Sequence, residues 1–180
     1  MQKKKQKVIF GSVKVMLAVA FLSALSIVCG KYLAIRGGDV LRFSFENLPV
    51  LMTGMIFGPV AGVASGVIAD LLGCVLVGYA INPLVTVGAA AIGLLGGILY
   101  RLCRSLPLAA RLGISVFGAH LVGSVIIKTF GLAQFYDMPF LALTAWRGLN
   151  YLIIGALEWV LIWLLLRNKA LSQQLEKMKH

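Results

Sequence analysis

The side chains of this chain that could hold a ligand are five cations and an asparagine. Arg147 lies about 10 Å inside an apolar segment, at about 1.5 Å per helical residue, and Asn150 follows on nearly the same face. A charge at such a depth is costly and usually faces a bundle interior or a wet cavity. The other four cations stand at segment ends or in a polar connection, and they are Lys31, Arg36, Arg42 and Lys128. Because such cations pair with carboxylates, their convergence would favour an anionic ligand.

Aromatic side chains accompany these cations, and an aromatic ring can stack on a planar heterocycle while an asparagine donates and accepts hydrogen bonds. The candidate ligand-binding residues are therefore Tyr32, Arg36, Arg42, Tyr79, His120, Lys128, Trp146, Arg147 and Asn150. Structural roles are the alternative. Lys128 could snorkel to the interface, Trp146 could belong to an aromatic belt, and His120 could be a satisfied interior histidine. Glu158 is expected to pair with a cation near the cytoplasmic end of its helix.

The chain lacks the motifs that an integral membrane enzyme would need. It contains no HExxH, GxSxG or Walker lysine loop, and its three cysteines form no CxxC pair. We therefore expect no catalytic residues and no metal site. We also find no long inverted repeats with coupling-ion sites, as a self-sufficient secondary transporter would show. A chain that binds a solute without energy machinery would need a partner.

The composition is that of a membrane protein. Of the 180 residues, 60% are hydrophobic and 13% are charged, whereas about 45–50% apolar residues are typical of soluble domains. The net charge of +11 does not indicate binding to nucleic acid. The cations stand between apolar runs, so their distribution is better explained by the orientation of the chain in the membrane.

Six apolar segments approach the length of about 20 residues that a spanning helix needs. They are residues 8–30, 43–57, 60–78, 83–102, 112–130 and 140–166, followed by a polar tail at 167–180, in one membrane domain covering 1–180. Twelve of the 17 basic residues then fall on one side and five on the other. The positive-inside rule places the twelve in the cytoplasm. We expect an all-α integral membrane fold, a six-transmembrane-helix bundle with both termini cytoplasmic; a signal peptide cleaved after Ala20 is the alternative for the first segment.

Small residues predict close helix packing in two places. Gly58, Gly62, Gly66, Asp70 and Gly73 recur at intervals of four, four, four and three, so they share one helix face. Asp70 on that face is expected to make a structural hydrogen bond, with an ion pair as the alternative. The first segment carries a second small-residue pair, Ala20 and Ala24, which could face a partner or pack internally.

The stretch from Arg42 to Gly73, RFSFENLPVLMTGMIFGPVAGVASGVIADLLG, resembles the second and third helices of the substrate-binding S components of energy-coupling factor (ECF) vitamin transporters. The shared pattern is a basic and aromatic start, a Leu-Pro, a Gly-Pro turn, and spaced glycines that end in Ala-Asp and a glycine. The likeness extends to six short helices and to the Ala20 and Ala24 pair. The connection GYAINP and the stretch WRGLN look most like the folate-specific members.

The resemblance implies a high-affinity vitamin-binding subunit of an ECF-type ABC importer in the bacterial plasma membrane. Folate would be the transported ligand, held by the outer loops and the outer halves of the later helices, and no cofactor is implied. Ala20 and Ala24 would dock on a transmembrane coupling protein (the T component), which two cytosolic ABC ATPases drive. Riboflavin, pantothenate and thiamine members share the framework, so the vitamin stays open. A membrane scaffold without a ligand and an intramembrane enzyme are the alternatives outside the family.

Overall fold

A computed structural model describes residues 13–37 and 41–168, with only the backbone described at residues 36, 37, 41 and 42. The predicted polar tail at residues 167–180 lies outside the described residues from residue 169 onwards, and so do the lysines before residue 13. The helices are α1 (Val13–Ile27), α2 (Asn47–Phe57), α3 (Pro59–Val77), α4 (Pro83–Leu102), α5 (Leu108–Ala119), α6 (Lys128–Phe135) and α7 (Phe140–Arg167). Two π-helical segments, Val28–Tyr32 and His120–Ile127, continue α1 and join α5 to α6.

Five continuous helical segments are long and apolar enough to cross a membrane. They are Val13–Tyr32, Pro59–Val77, Pro83–Leu102, Leu108–Phe135 and Phe140–Arg167. The remaining helix, α2, has 11 residues and is therefore about 16 Å long, roughly half of a hydrocarbon core of about 30 Å. The described part of the chain is thus a helical membrane bundle of five spanning segments and one half-length helix.

A short β-hairpin replaces the start that was predicted for the second span. Strands β1 (Ile35–Gly37) and β2 (Leu41–Phe43) pair antiparallel, with Arg36 opposite Arg42. The prediction that this span begins at residue 43 was wrong, because the backbone of Phe43 pairs with Ile35 across the hairpin. The helix begins instead at Asn47.

The fifth span is longer than the predicted residues 112–130. The predicted span ended just before Gly131, but a Cβ at Gly131 would lie 2.6 Å from Leu84 Cβ, so this glycine permits close packing within a continuing helix. The Asn82 amide donates to the Gly131 carbonyl at 2.9 Å. The chain leaves the helix only after Phe135, and Asp137 adopts a positive φ of 51°. The predicted end of the fifth span was therefore too early, because Gly131 lies within the helix and permits its close contact with Leu84.

Glycines bring α2, α3 and α4 into direct backbone contact. A Cβ at Gly62 would overlap the Gly93 carbonyl, and a Cβ at Gly93 would overlap the Gly62 carbonyl. Gly54 on α2 approaches the same Gly93 carbonyl, and Gly66 approaches the carbonyl of Ala89. The predicted small-residue face therefore does pack closely, with α4 as its main partner. The Gly58-Pro59 turn is also confirmed, since Gly58 has φ 113° and Pro59 begins α3.

Candidate functional site

Lys128, the first residue of α6, carries a buried charge at one end of the bundle. Only 4% of it is exposed. Its Nζ donates to Glu46 Oε1 at 3.1 Å and to Asn47 Oδ1 at 3.4 Å. Glu46 precedes α2 and Asn47 begins it, so the ion pair ties the half-length helix to α6. Burial makes this contact stronger than a surface ion pair, because the dielectric around it is low.

A cavity of about 20 Å³ opens beside this ion pair. Five helices contribute to its wall: α1 with its π-helical end, the start of α2, and α3, α4 and α6. The lining residues are Ser26, Ile27, Lys31, Glu46, Asn47, Val50, Gly66, Ala69, Asp70, Ala89 and Lys128. Small-molecule pockets usually enclose about 300–1,000 Å³. The cavity therefore admits a water-sized occupant, and a vitamin-sized ligand would require the surrounding side chains or the hairpin to move.

Lys31 and Asp70 bring further charges to the cavity wall. The Lys31 stem lies against Gly73, where a Cβ would stand 2.7 Å from its Cε. Its Nζ donates to Cys74 Sγ at 3.5 Å and lies 5.3 Å from the centre of the Tyr79 ring. Asp70 Oδ2 accepts a hydrogen bond from Thr86 Oγ1 at 2.6 Å, which confirms the expected structural hydrogen bond.

Arg147 lies in a second buried cluster, next to the first. Its Nε donates to Thr129 Oγ1 at 2.9 Å, and its Nη2 donates to the Ser124 carbonyl at 3.3 Å and to the Tyr151 hydroxyl at 3.4 Å. Ser124 belongs to the π-helical segment, whose altered hydrogen-bond ladder leaves this carbonyl open to side chains. Thr129 follows Lys128 directly, so the two clusters adjoin along α6.

His120 and Glu158 complete the second cluster deeper in the bundle. His120 Nε2 lies 2.6 Å from Glu158 Oε2, and the two residues are 2% and 0% exposed. The imidazole also meets Ser124 Oγ at 3.1 Å and stacks on the Tyr151 ring, with centroids 5.2 Å apart. The expectation that Glu158 pairs with a cation near the cytoplasmic end was wrong, because α7 turns it into the core against α5 and the π-helical segment. Within the described part of the chain, Glu158 Oε1 finds no hydrogen-bond partner.

The structure brings together only part of the predicted ligand set. Lys128 lines the cavity, Tyr79 lies beside Lys31, and Arg147 and His120 sit in the adjoining buried cluster. Asn150 is half-buried one turn from Arg147 on α7.

Two predicted aromatic residues lie elsewhere. Tyr32 and Trp146 are 64% and 63% exposed, on outward faces of their helices. Arg36 and Arg42 face each other in the hairpin by backbone register, and nothing is described of their side chains. Ala20 and Ala24 are exposed on α1 beside Leu17 and Phe21.

Sequence reasoning named Lys31 among the five candidate cations, but it missed the two acids and the amide of the cavity, Glu46, Asp70 and Asn47, as members of the site. A signal was present, since the chain has only six acidic residues and Glu46 lies two positions before the apolar run that begins at Leu48. An acid in so basic and apolar a chain is a candidate partner for a buried cation. What was lacking was the pairing, because Glu46 and Lys128 are 82 positions apart.

The fold and the site define a class: a small helical membrane protein with charged side chains buried around a water-sized cavity. A family model for the ECF-type riboflavin transporter S component matches residues 10–170. The chain therefore belongs to the ECF S components, the family that the sequence resembled. That family consists of transporter components and not of enzymes.

Two curated relatives share parts of the sequence. An uncharacterized protein of Mycoplasma pneumoniae, the MG098 homolog, is 32% identical over 103 residues, which are 56% of this chain and 21% of that protein. The folate transporter FolT of Clostridium novyi is 38% identical over 64 residues, which are 36% of this chain and 37% of that protein. The matches thus span about a fifth and about a third of the relatives' lengths.

Solved structures share the fold over most of the chain. The crystal structure of FolT bound with folic acid has a TM-score of 0.70 at 22% identity, covering 84% of this chain and 91% of that one. The S component of a bacterial ECF transporter gives 0.67 at 24% identity, covering 87% and 95%. The S component for biotin gives 0.62 at 18% identity, covering 90% and 93%. At these identities the likeness establishes the fold alone.

Proposed function

We propose that this chain is the high-affinity folate-binding S component of an ECF-type importer. The observation that carries the proposal is the buried Lys128 beside a cavity, since folate has two carboxylates that require cations. The similarity to FolT supports it. Lys128 would hold a carboxylate, Arg147 and Asn150 would act at the adjoining wall, and Arg36 and Arg42 would face the ligand from the hairpin.

Riboflavin is the second candidate vitamin, because the family model that matches residues 10–170 is that of riboflavin transporters. Riboflavin carries a flat ring and hydroxyl groups but no carboxylate. It would therefore use hydrogen bonds donated by the Asn47 amide and accepted by the Asp70 carboxylate rather than an ion pair with Lys128. The charge of the site is the property that separates the two candidates.

The site would face the outside of a bacterial plasma membrane, which the chain crosses several times. Twelve of its 17 basic residues lie at the opposite side in a six-helix topology with both termini cytoplasmic. Capture of the vitamin from outside would then precede its delivery to the cytoplasm.

Energy for import would come from partners. The exposed face of α1 carries Ala20 and Ala24 with the large apolar side chains of Leu17 and Phe21. Small residues let another helix approach closely in lipid. This face would dock on the coupling protein, the T component, and two cytosolic ABC ATPases would drive the cycle.

A competition panel tests the vitamin. We expect folate to quench the tryptophan fluorescence of the purified protein with high affinity, and unlabelled riboflavin, pantothenate and thiamine to leave folate binding unchanged. Tight binding of riboflavin without binding of folate would contradict the folate proposal and make riboflavin the transported vitamin. Binding of none of the four would support a membrane scaffold instead. Turnover of a bound vitamin would point to an enzyme.

Bulky side chains on α1 test the docking face. Ala20→Leu with Ala24→Leu should leave vitamin binding intact and abolish uptake in cells that contain the coupling protein and ATPases, because the close helix approach is lost. Ala20→Ser with Ala24→Ser is the matched control and should keep uptake, since serine is also small. Normal uptake by the leucine variant would contradict the proposed docking face.

A further inference from the structure

The ion pair between Lys128 and Glu46 joins two residues of unequal burial. The Lys128 side chain is 5% exposed, whereas the Glu46 side chain is 23% exposed and lines the cavity. The cation is therefore fixed in the bundle, and the acid stands at the border between the bundle and the cavity. A buried ammonium needs a counter-charge, but that charge need not come from this particular residue.

The main chain of Glu46 is held independently of its carboxylate. The Ser26 hydroxyl donates to the Glu46 carbonyl at 2.6 Å and anchors the residue to α1. Glu46 occupies the N-cap position of α2, yet its side chain makes no capping hydrogen bond to that helix. The backbone position of Glu46 at the start of α2 therefore does not depend on the contact between its carboxylate and Lys128.

A donor beside Lys128 is left without an acceptor. Asn47 is 2% exposed and lines the cavity, and no hydrogen bond reaches its Nδ2 within the described part of the chain. Asn47 is also the first residue of α2, an 11-residue helix whose N-terminus favours a negative charge. A second carboxylate oxygen would thus find a buried donor and a helix N-terminus next to the ammonium of Lys128.

We propose that Lys128, Asn47 and the N-terminus of α2 form a carboxylate subsite, and that Glu46 occupies this subsite as an internal substitute for the carboxylate of the transported ligand. The inference rests on the proposed binding of a carboxylate-bearing vitamin. An entering ligand carboxylate takes over Lys128 and Asn47, and the Glu46 side chain turns towards the cavity mouth. Ligands without a carboxylate cannot make this exchange, so Glu46 also discriminates between vitamins.

Rescue by a small carboxylate tests the subsite without any vitamin. In Glu46→Gln, measured as the full purified chain in sodium chloride, the midpoint of thermal unfolding should fall by about 5–10 °C because Lys128 loses its counter-charge. Sodium propionate at the same ionic strength should restore most of this loss and should leave the unmutated protein unchanged. Absence of any propionate effect on Glu46→Gln would overturn the proposal.

Two further variants serve as controls for the rescue. The double variant Glu46→Gln with Lys128→Met removes both charges, so it should show no response to propionate. Asp137→Asn is a matched acid-to-amide change in an exposed loop after α6, at a positive φ that asparagine tolerates. It should neither lower the midpoint nor create a response, and a response in either control would show that propionate acts elsewhere.

Folate affinity tests the exchange itself. Glu46→Gln should bind folate at least about tenfold more tightly, because the ligand no longer displaces an internal carboxylate. The folate bis-amide, in which both carboxylates are neutral, should gain nothing. If Glu46→Gln does not fold, Glu46→Asp should show a smaller gain in the same direction, since its shorter side chain reaches Lys128 less well. Unchanged or weaker folate binding would refute the exchange.

The two experiments separate the failure of the inference from the failure of the proposed function. Propionate rescue in a protein that binds no folate would retain the subsite and remove folate as its ligand. The opposite result is also informative. If the unmutated protein binds folate tightly, but propionate does not restore the stability of Glu46→Gln and no Glu46 variant gains folate affinity, then the folate function stands and the role of Glu46 as an internal substitute is refuted.

Discussion

Two buried acid–base pairs lie in adjoining parts of the bundle, and they differ in what surrounds the acid. Glu46 faces a cavity and keeps 23% of its side chain exposed as it holds Lys128. Glu158 is completely buried and holds His120, which is itself braced by Ser124 and stacked on Tyr151. The first pair is the one at which we propose that a ligand replaces the acid, whereas neither His120 nor Glu158 lines that cavity. Both pairs contain a buried charge, so the cavity beside Glu46 and Lys128 is the feature that distinguishes the proposed ligand subsite from the structural pair of His120 and Glu158.

Lys128 and Thr129 are neighbours in the chain, and through them the two buried clusters are connected along α6. Lys128 turns to Glu46, and Thr129 accepts a hydrogen bond from Arg147, which also reaches Tyr151. The sealed cluster thus supports the helix that carries the exchangeable cation. A rigid support keeps the ammonium in place when its acid partner is replaced.

The largest expected effect comes from breaking the sealed pair. His120→Leu leaves the Glu158 carboxylate buried without its partner and should lower the free energy of unfolding by about 3–5 kcal/mol. Thermal unfolding in detergent measures the loss. The double variant His120→Leu with Glu158→Leu should recover most of it, because both polar groups are then gone. If His120→Leu were as stable as the unmutated protein, the pair of His120 and Glu158 would not be a structural contact, and the contrast with the pair of Glu46 and Lys128 would be lost.

A smaller effect on stability and a large one on binding are expected at the exchangeable pair. Lys128→Met should lower folate affinity about a hundredfold, since the ligand carboxylate loses its cation. Its unfolding midpoint should fall less than that of His120→Leu, because Glu46 can turn to water. Arg104→Ala, at an exposed position between α4 and α5, is the control and should change neither quantity. Unchanged affinity with a large loss of stability would make Lys128 a structural residue.

The smallest effect is expected at Trp146. The residue was proposed for the ligand set from its place beside Arg147, but 63% of it is exposed on α7. Trp146→Phe should change folate affinity by less than about twofold, as surface substitutions away from a site usually do. Isothermal titration calorimetry measures it without relying on tryptophan emission. A tenfold loss would mean that the binding site extends to this outward face.

Much of the architecture could be predicted because it depends on local composition. The apolar segments around α3, α4 and α7 ended close to the predicted residues, and the turn at Gly58-Pro59 was correct. The pairing of β1 with β2 was not predicted, since a polar connection with two glycines permits several conformations. Gly131 was misread because the reason for a glycine there, its contact with Leu84, lies on another helix.

The candidate site was predictable as a list of residue types and not as a set of contacts. Lys128 and Arg147 stood out because charges in apolar segments are rare and costly. Which acid meets which base depends on pairs separated by 82 positions for Glu46 and Lys128 and by 38 for His120 and Glu158. Helical periodicity relates residues only three or four positions apart.

By itself, the sequence determined that this chain is an apolar helical membrane protein, that its spaced glycines share a helix face, and that a charge inside an apolar segment carries an energetic cost. Those properties follow from hydrophobicity and helical period, which each segment carries alone. The tertiary structure decided that Gly62 meets Gly93, that Glu158 is sealed with His120, and that Glu46 holds Lys128 beside a cavity. These contacts depend on how separate helices pack, because a buried charge takes whichever partner the packing brings within hydrogen-bond distance.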